Sequence, residues 1–295
     1  MRTCVIFNPT AQGEKARRLR RHLDEIGAAA TLMQTRAVDH ARELSTEAVR
    51  AGFEIIVAAG GDGTVNEVLN GIGDADGFER ARLAVLPIGT VNVFAKELKL
   101  PGSVRGAWEI IRVAKETRID LPVVEFMAEG KTQRRFFAQL AGAGLDARAI
   151  ELLSWSLKKK IGPLAYIVAG IKAVCGRLPQ IKVSTSTEQA SGELILIGNG
   201  SYYGGRFTIF PLADMRDGVL EVCVFPRANW FTLLSCGLPL LLQSRLPKRA
   251  ARTIRAEKFV LSSEEPVSFE LDGELVGKLP ATFSIRRNGL RMIVP

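Results

Sequence analysis

The sequence predicts an α/β plus β architecture: a doubly wound, mainly parallel α/β domain over residues 1–117, then an antiparallel β-sandwich domain over residues 118–295. Three observations carry this. Short apolar runs alternate with amphipathic stretches up to Thr117, the pattern of strands followed by crossover helices. Beyond Thr117, β-like runs follow one another with turn residues at close spacing, the pattern of a sandwich. The 295 residues are also enough for two separate cores. The last strand is expected to pack back toward the first domain.

In the first half, residues 2–8 read as a strand and Asn8-Pro9-Thr10-Ala11-Gln12-Gly13 as a turn. A basic helix with Lys15, Arg17, Arg18, Arg20 and Arg21 follows, its arginines read as a solvated face. Residues 30–35 form a second short strand ending at Thr35, with a helix near 39–51. The apolar run 54–59 leads into Gly60-Gly61-Asp62-Gly63-Thr64-Val65-Asn66-Glu67-Val68-Leu69-Asn70-Gly71, read as a glycine turn and an amphipathic helix. Residues 82–87 repeat the theme, ending in Ile88-Gly89-Thr90-Val91-Asn92. A helix over 104–115 closes the domain. Ligands bind parallel sheets at the carboxyl ends of the strands, where Asn8, Thr35, Gly60, Thr90 and Asn92 should gather.

Glycines around one acid and one hydroxyl let backbone N–H groups close on an anion, and the helix start adds partial positive charge. The alternative is an ordinary βα turn. The spacing is neither G-x-G-x-x-G nor a P-loop, and Gly130-Lys131-Thr132 has Glu125 where a P-loop needs glycine. That segment reads as a hairpin turn between residues 123–126 and 135–137.

In the second half, strands are expected at 119–126, 134–140, 181–186, 192–198, 219–225, 258–262, 267–271 and 282–286. A helical excursion near 147–176 and an apolar segment near 229–243 interrupt them. The apolar segment is shorter than the ~20 residues that cross a bilayer, and Pro239 breaks it. With Arg245, Lys248, Arg249, Arg252 and Arg255 behind it, it reads either as a membrane-surface element or acyl-chain pocket wall, or as a buried helix followed by a basic loop.

A net charge of +9 favours an anionic partner, whether lipid surface, phosphorylated ligand or nucleic acid. Dispersed charge without a basic motif interleaved with aromatics argues against nucleic acid. Cys4, Cys175, Cys223 and Cys236 are scattered and only His22 and His40 could help them ligate zinc, so buried reduced thiols are expected. The opening residues read directly as a strand rather than a signal peptide, which points to the cytoplasm.

Six ordered blocks resemble the diacylglycerol kinase catalytic-domain family, with sphingosine and ceramide kinases as relatives. They are Asn8-Pro9; Gly60-Gly61-Asp62-Gly63-Thr64 with Asn66-Glu67; Pro87-Ile88-Gly89-Thr90-Val91-Asn92; Gly198-Asn199-Gly200-Ser201-Tyr202-Tyr203-Gly204-Gly205; Asp217-Gly218; and Leu271-Asp272-Gly273-Glu274. The resemblance implies transfer of the γ-phosphoryl group of ATP, with Mg²⁺, to a lipid hydroxyl in a cleft between the two domains. Carried over position by position, it implies a nucleotide site from Asn8, Thr35, Gly60, Gly61, Asp62, Gly63, Thr64, Val65, Asn66, Glu67, Thr90 and Asn92. Asp62 would hold Mg²⁺ or its waters. Glu274, with Asp272 beside it, would accept the proton of the lipid alcohol; without the resemblance, Asp272-Gly273 reads first as a hairpin turn. A second, structural Mg²⁺ is implied at Asp214, Asp217 and Val219, with Asp217 as the side-chain ligand. Val93 stands where many relatives carry Asp.

These implications describe a cytoplasmic lipid kinase, peripherally bound to an anionic membrane surface, with a homodimer allowed. The competing readings are a kinase of a soluble substrate resembling NAD kinase, and a non-catalytic lipid-binding relative.

Overall fold

The computed structural model describes residues 1–9, 14–153, 164–247 and 250–295. The chain divides into two units. The first holds Met1–Leu121, Phe136–Ala138 and Arg286–Pro295, and the second holds Pro122–Arg135 and Gln139–Ile285.

In the first unit, β1 (Thr3–Phe7), β2 (Thr31–Gln34), β3 (Ile55–Gly60) and β4 (Arg82–Pro87) lie in the order β2-β1-β3-β4, every pair parallel. The sequences of β3 and β4, IIVAAG and RLAVLP, are almost wholly buried. Strands covered on both faces read as such continuous apolar runs. Helices α1 (Glu14–Ala29), α2 (His40–Arg50), α3 (Asp62–Asp74), α4 (Val93–Glu97) and α5 (Val104–Val113) follow the strands. On α1, Ala16, Leu19 and Ile26 are buried while Arg17, Arg18, Arg20 and Arg21 stay exposed, the division expected of an amphipathic surface helix. Ser103 starts α5 by accepting the Gly106 N–H at 3.2 Å. The core gathers Val5, Phe7, Val57, Leu86, Trp108 and Ile111. The turn residues 10–13 lie outside the described residues.

In the second unit, β5 (Glu116–Ala128), which begins in the first unit, pairs with β6 (Lys131–Phe136). Glu129 and Gly130 between them have φ of 51° and 72°, as a tight two-residue hairpin demands. A six-stranded antiparallel sheet contains β7 (Leu140–Gly144), β10 (Leu194–Gly198), β13 (Leu220–Phe225), β14 (Arg252–Ala256), β16 (Ser268–Leu271) and β17 (Glu274–Lys278), in the order β14-β13-β10-β7-β16-β17. A second antiparallel array joins β9 (Gln189–Gly192), β8 (Ile181–Ser184), β15 (Lys258–Ser262) and the start of β18 (Ala281–Ile293). Phe269 on β16 meets Phe283 on β18 edge-on, ring centroids 5.9 Å apart, so the two arrays pack through aromatic contacts. Two short strands, β11 (Tyr202–Tyr203) and β12 (Phe207–Thr208), pair with each other. Helices α6 (Leu145–Glu151), α7 (Leu164–Val174) and α8 (Trp230–Gln243) complete the unit.

Several expectations need correction. The helical excursion near 147–176 contains α6 and α7, and its residues 154–163 lie outside the described residues. Arg252 and Arg255 sit on strand β14 rather than in a basic loop; in its sequence RTIRA only Ile254 turns inward, so the apolar signal is a single residue. Lys248 and Arg249 lie outside the described residues. Cys175 is exposed just past α7, whereas Cys4, Cys223 and Cys236 are buried, and burial pushes the Cys4 and Cys223 thiols up to about 12.

The end of β18 returns to the first unit, where Met292 pairs with Leu83 of β4. Glu116 secures that strand: it accepts Arg291 Nε at 2.6 Å and Nη2 at 2.8 Å, and Arg82 Nε at 2.6 Å. The hydrogen bond from Arg291, aided by Arg82, lowers the carboxyl from 4.5 to about 2. A depressed carboxyl contributes stability that is complete above the unfolded-state value and is lost as pH falls through the folded one. Because Glu116 is exposed, solvent screening discounts this contribution, and Glu116→Gln is expected to cost roughly 1 kcal/mol at pH 7, with the deficit closing between pH 4.5 and about 2, measured by chemical denaturation across that range.

Candidate active site

The parallel register aligns the carboxyl ends of the strands. Phe7 lies opposite both Gln34 and Ala59, and Gly60 lies opposite Pro87. The Thr35 N–H donates to Phe7 O at 2.9 Å. Asn8, Thr35, Gly60 and the turn after Pro87 therefore emerge at one edge of the sheet.

At this edge the turns after β3 and β4 approach closely. Ile88 N donates to Gly60 O at 3.2 Å and Gly89 N to the same oxygen at 3.3 Å. A methyl on Gly89 would overlap Gly61 Cα and lie 2.7 Å from Asn92 Oδ1. A methyl on Gly60 would overlap the Thr64 side chain. Only hydrogen fits at either position.

Asp62 opens α3 and binds the second turn. Its Oδ2 accepts the Val93 N–H at 3.0 Å and its Oδ1 the Phe94 N–H at 3.1 Å, the first backbone donors of α4. The contact at residue 93 is made by backbone, so the valine side chain there, buried with Phe94, leaves it intact. Asn92 has φ 54°, and its Nδ2 donates to Gly89 O at 2.6 Å and Pro87 O at 3.3 Å. Its Oδ1 is buried with no hydrogen-bond partner.

The helix after the first turn uses its polar residues differently. The Glu67 carboxylate accepts the Ala41 N–H at 2.9 Å at the start of α2, and burial raises its proton affinity. Asn70 clamps Phe136, donating to its carbonyl and accepting its N–H, both at 2.9 Å. Asn66 Oδ1 accepts from Asn70 at 3.0 Å. Val65 is buried and its N–H closes the first turn of α3 on Gly61 O, while Gly63 and Thr64 are half-buried and Thr90 is exposed.

Lys15, read from the sequence only as part of a basic helix, reaches this edge of the sheet. Lys15 Nζ donates to Gly89 O at 3.4 Å, bringing an ammonium to the glycine turns from 74 residues away. Lys15 is half-buried where Arg17, Arg18, Arg20 and Arg21 of the same helix are exposed.

In the second unit, Asp272 and Gly273 form the turn between β16 and β17, with φ of 49° and 92° and Leu271 opposite Glu274. Asp272 Oδ1 accepts the Gln139 N–H at 2.9 Å and the Leu140 N–H at 3.1 Å, binding the turn to the start of β7. Glu274 is exposed at the first position of β17. Asp272 is thus anchored in the protein while Glu274 is accessible.

The metal expectations meet two arrangements. Among the described residues, no three His, Cys, Asp or Glu side chains converge on a metal position. Mg²⁺ typically takes one or two carboxylates plus substrate phosphates and water, and each oxygen of Asp62 keeps a lone pair beyond its backbone bond. Asp62 thus fits an ion carried in with phosphates. At the second loop, Asp217 pairs with Arg255 and its Oδ1 accepts the Val219 N–H at 3.0 Å. Asp214 Oδ1 accepts Arg216 N–H at 3.1 Å, and its carbonyl accepts Asp217 N–H. As arranged, a guanidinium neutralises this loop, which does not fit a divalent ion.

Comparison with known proteins places the chain among relatives of one family. The diacylglycerol kinase catalytic domain matches residues 2–124, and the YegS C-terminal NAD kinase beta sandwich-like domain matches residues 139–294. A diacylglycerol kinase of Staphylococcus epidermidis is 30% identical over 308 residues, covering 100% of this chain and 92% of that protein. One from Staphylococcus haemolyticus is 30% identical, covering 100% and 89%. Among solved structures, a diacylglycerol kinase from Bacillus anthracis has a TM-score of 0.78 at 23% identity, covering 100% and 97%. Yeast NADH kinase bound to NADH has a TM-score of 0.58 at 9% identity, covering 100% and 84%. These two structures share the fold.

The close approach of the two turns yields a test. Gly89→Ala is expected to lower stability by about 1–3 kcal/mol in chemical denaturation, whereas Gly102→Ala, whose methyl would meet nothing within 4 Å, is expected to unfold as wild type does.

Proposed function

The chain belongs to the diacylglycerol kinase catalytic-domain family, which makes it a lipid kinase, and from that premise we propose that it transfers the γ-phosphoryl group of ATP to a hydroxyl of a diacylglycerol-like lipid at an anionic membrane surface. The observation that carries the nucleotide part is the pair of glycine turns joined by Asp62, with Lys15 beside them.

Phosphoryl transfer needs positioning and neutralisation of charge on the phosphate oxygens more than covalent help. The helix start after Gly61 and the Lys15 ammonium suit that task. Mg²⁺, when bound with the phosphates, would add charge neutralisation, with Asp62 as its protein carboxylate. The lipid alcohol must also lose a proton. Glu274, accessible and carried on an anchored turn, is assigned as its acceptor, and Asp272 as the residue that holds the turn.

Helix α8 supports the membrane part. It carries no charged residue, and Trp230, Phe231, Leu234 and Leu242 are exposed by 48%, 78%, 69% and 75%. Exposed Arg227 and Arg245 flank it. Apolar side chains with adjacent cations favour an anionic bilayer surface. Among the described residues no helix is long and apolar enough to cross a membrane.

The reading is tested by phosphorylation of diacylglycerol in phosphatidylglycerol-containing and in pure phosphatidylcholine vesicles. Glu274→Gln is expected to lower kcat by about 10²–10⁴-fold on either surface without changing thermal stability, since its side chain is exposed. Phe231→Glu with Leu234→Glu is expected to abolish vesicle binding yet preserve ATP binding. Near-normal turnover of Glu274→Gln would remove it from the mechanism, and unchanged vesicle binding of the double variant would remove α8 from the membrane contact. Phosphorylation of NAD instead of lipid would favour the soluble-substrate reading.

A further inference from the structure

The second unit contains a buried carboxyl cluster that the mechanism above does not use. Glu270 on β16 is fully buried, and Asp146 lies in the first turn of α6. Strand pairing sets Glu270 opposite Gly142 of β7. The two carboxyls occupy the space that a side chain at residue 142 would need: a methyl there would overlap Asp146 Oδ2 and lie 2.9 Å from Glu270 Oε1.

The hydrogen bonds can be accounted for oxygen by oxygen. The Tyr203 hydroxyl donates to Asp146 Oδ1. The Gly273 N–H donates to Glu270 Oε2 at 2.6 Å. The remaining two oxygens, Asp146 Oδ2 and Glu270 Oε1, are buried and receive no donor from any other group. Both point into the same space beside Gly142, Glu270 Oε1 lying 2.9 Å from where a methyl there would be and Asp146 Oδ2 closer still. Ionised carboxylates only accept, so two of them cannot bond until one carries a hydrogen. A single proton satisfies all four oxygens. Burial, and for Glu270 the charges of Asp146 and Asp272, favour retaining it.

What this cluster holds is the Asp272–Gly273 turn. Glu274 is exposed on β17, the last strand of its sheet, and next to it the pairing with β16 is irregular between Phe269 and Glu270. The direction of its carboxylate therefore depends on the turn before it. The Asp272 side chain fixes one residue of that turn to β7, and the Gly273 N–H fixes the other to Glu270.

We propose that Asp146 and Glu270 are positioning residues, a carboxyl–carboxylate pair that shares one proton, grips the Gly273 amide and thereby aims Glu274. The role in turnover rests on the reading of Glu274 as proton acceptor; the pair itself does not. Glu270→Gln supplies the missing donor from its amide nitrogen while its oxygen still accepts Gly273 N–H. Glu270→Leu supplies neither.

The test uses the full chain and three readouts. In infrared spectra at pH 7, wild type is expected to show the carbonyl stretch of a buried protonated carboxylic acid, absent from Glu270→Gln and from Asp146→Asn. In amide hydrogen exchange, Gly273 is expected to be protected in wild type and Glu270→Gln and released in Glu270→Leu. In lipid phosphorylation, Glu270→Gln is expected to keep near-normal kcat, while Glu270→Leu loses about 10²-fold in kcat with its KM for ATP unchanged. Should Glu270→Leu fail to fold, Tyr203→Phe, which removes one donor, is expected to weaken the Gly273 protection. Absence of the carbonyl band in wild type, or Gly273 exchanging equally in all variants, would overturn the proposal. Wild type that phosphorylates no lipid but shows band and protection would overturn the kinase reading and support the proton-sharing pair.

Discussion

The carboxylate of Asp62 spans from the first turn of α3 to the first two backbone donors of α4, and the geometry of the first unit's sheet edge depends on this bridge. It joins the turn after β3 to the turn after β4. Two strands alone would set those turns side by side, but would not fix their distance. The bridge explains why Gly89 must lack a side chain, since Gly61 already occupies the space. It also explains why Asn92 adopts a left-handed conformation: the chain must reverse so that residues 93 and 94 present their N–H groups to Asp62. At α4 the first two N–H groups of the helix are thereby paired with Asp62 rather than left open.

The second unit solves a comparable problem with different chemistry. An exposed edge strand is a poor platform for a precisely placed carboxylate, because little packs against it. Here two carboxyl groups restrain the preceding turn: the half-buried Asp272 grips the backbone of β7, and the buried Glu270 grips Gly273. Burying Glu270 and Asp146 together would be costly if both were charged. One shared proton would remove most of that cost and give each of the pair's four oxygens a partner.

Much of this was readable in the chain. Strands β1, β3 and β4 are buried on both faces, so they appear as unbroken apolar runs, and the glycine turns follow β3 and β4 directly. Asp272-Gly273 is legible as a hairpin because few other residue pairs tolerate two positive φ values. Other features depend on tertiary registers that local pattern does not encode. Lys15 meets Gly89 only because α1 passes the edge of the sheet. The capping of α2 by Glu67 and of α4 by Asp62 follows from which helices become neighbours. Glu270 alternates with apolar residues in β16 and looks like an outward-facing strand residue until Gly142 is placed opposite it. Strand β14 was hidden for the opposite reason, since its polar residues outnumber its single inward isoleucine.

The proposed reaction moves the terminal phosphoryl group of ATP onto a lipid alcohol. The most direct measurement follows radiolabel from γ-labelled ATP, with Mg²⁺, over diacylglycerol, phosphatidylglycerol, ceramide and a sphingoid base presented in vesicles, with NAD as a soluble competitor, and separates the products by thin-layer chromatography. Label is expected in an organic-extractable lipid phosphate, undiminished by NAD. Label appearing only in phosphorylated NAD or in inorganic phosphate would contradict it.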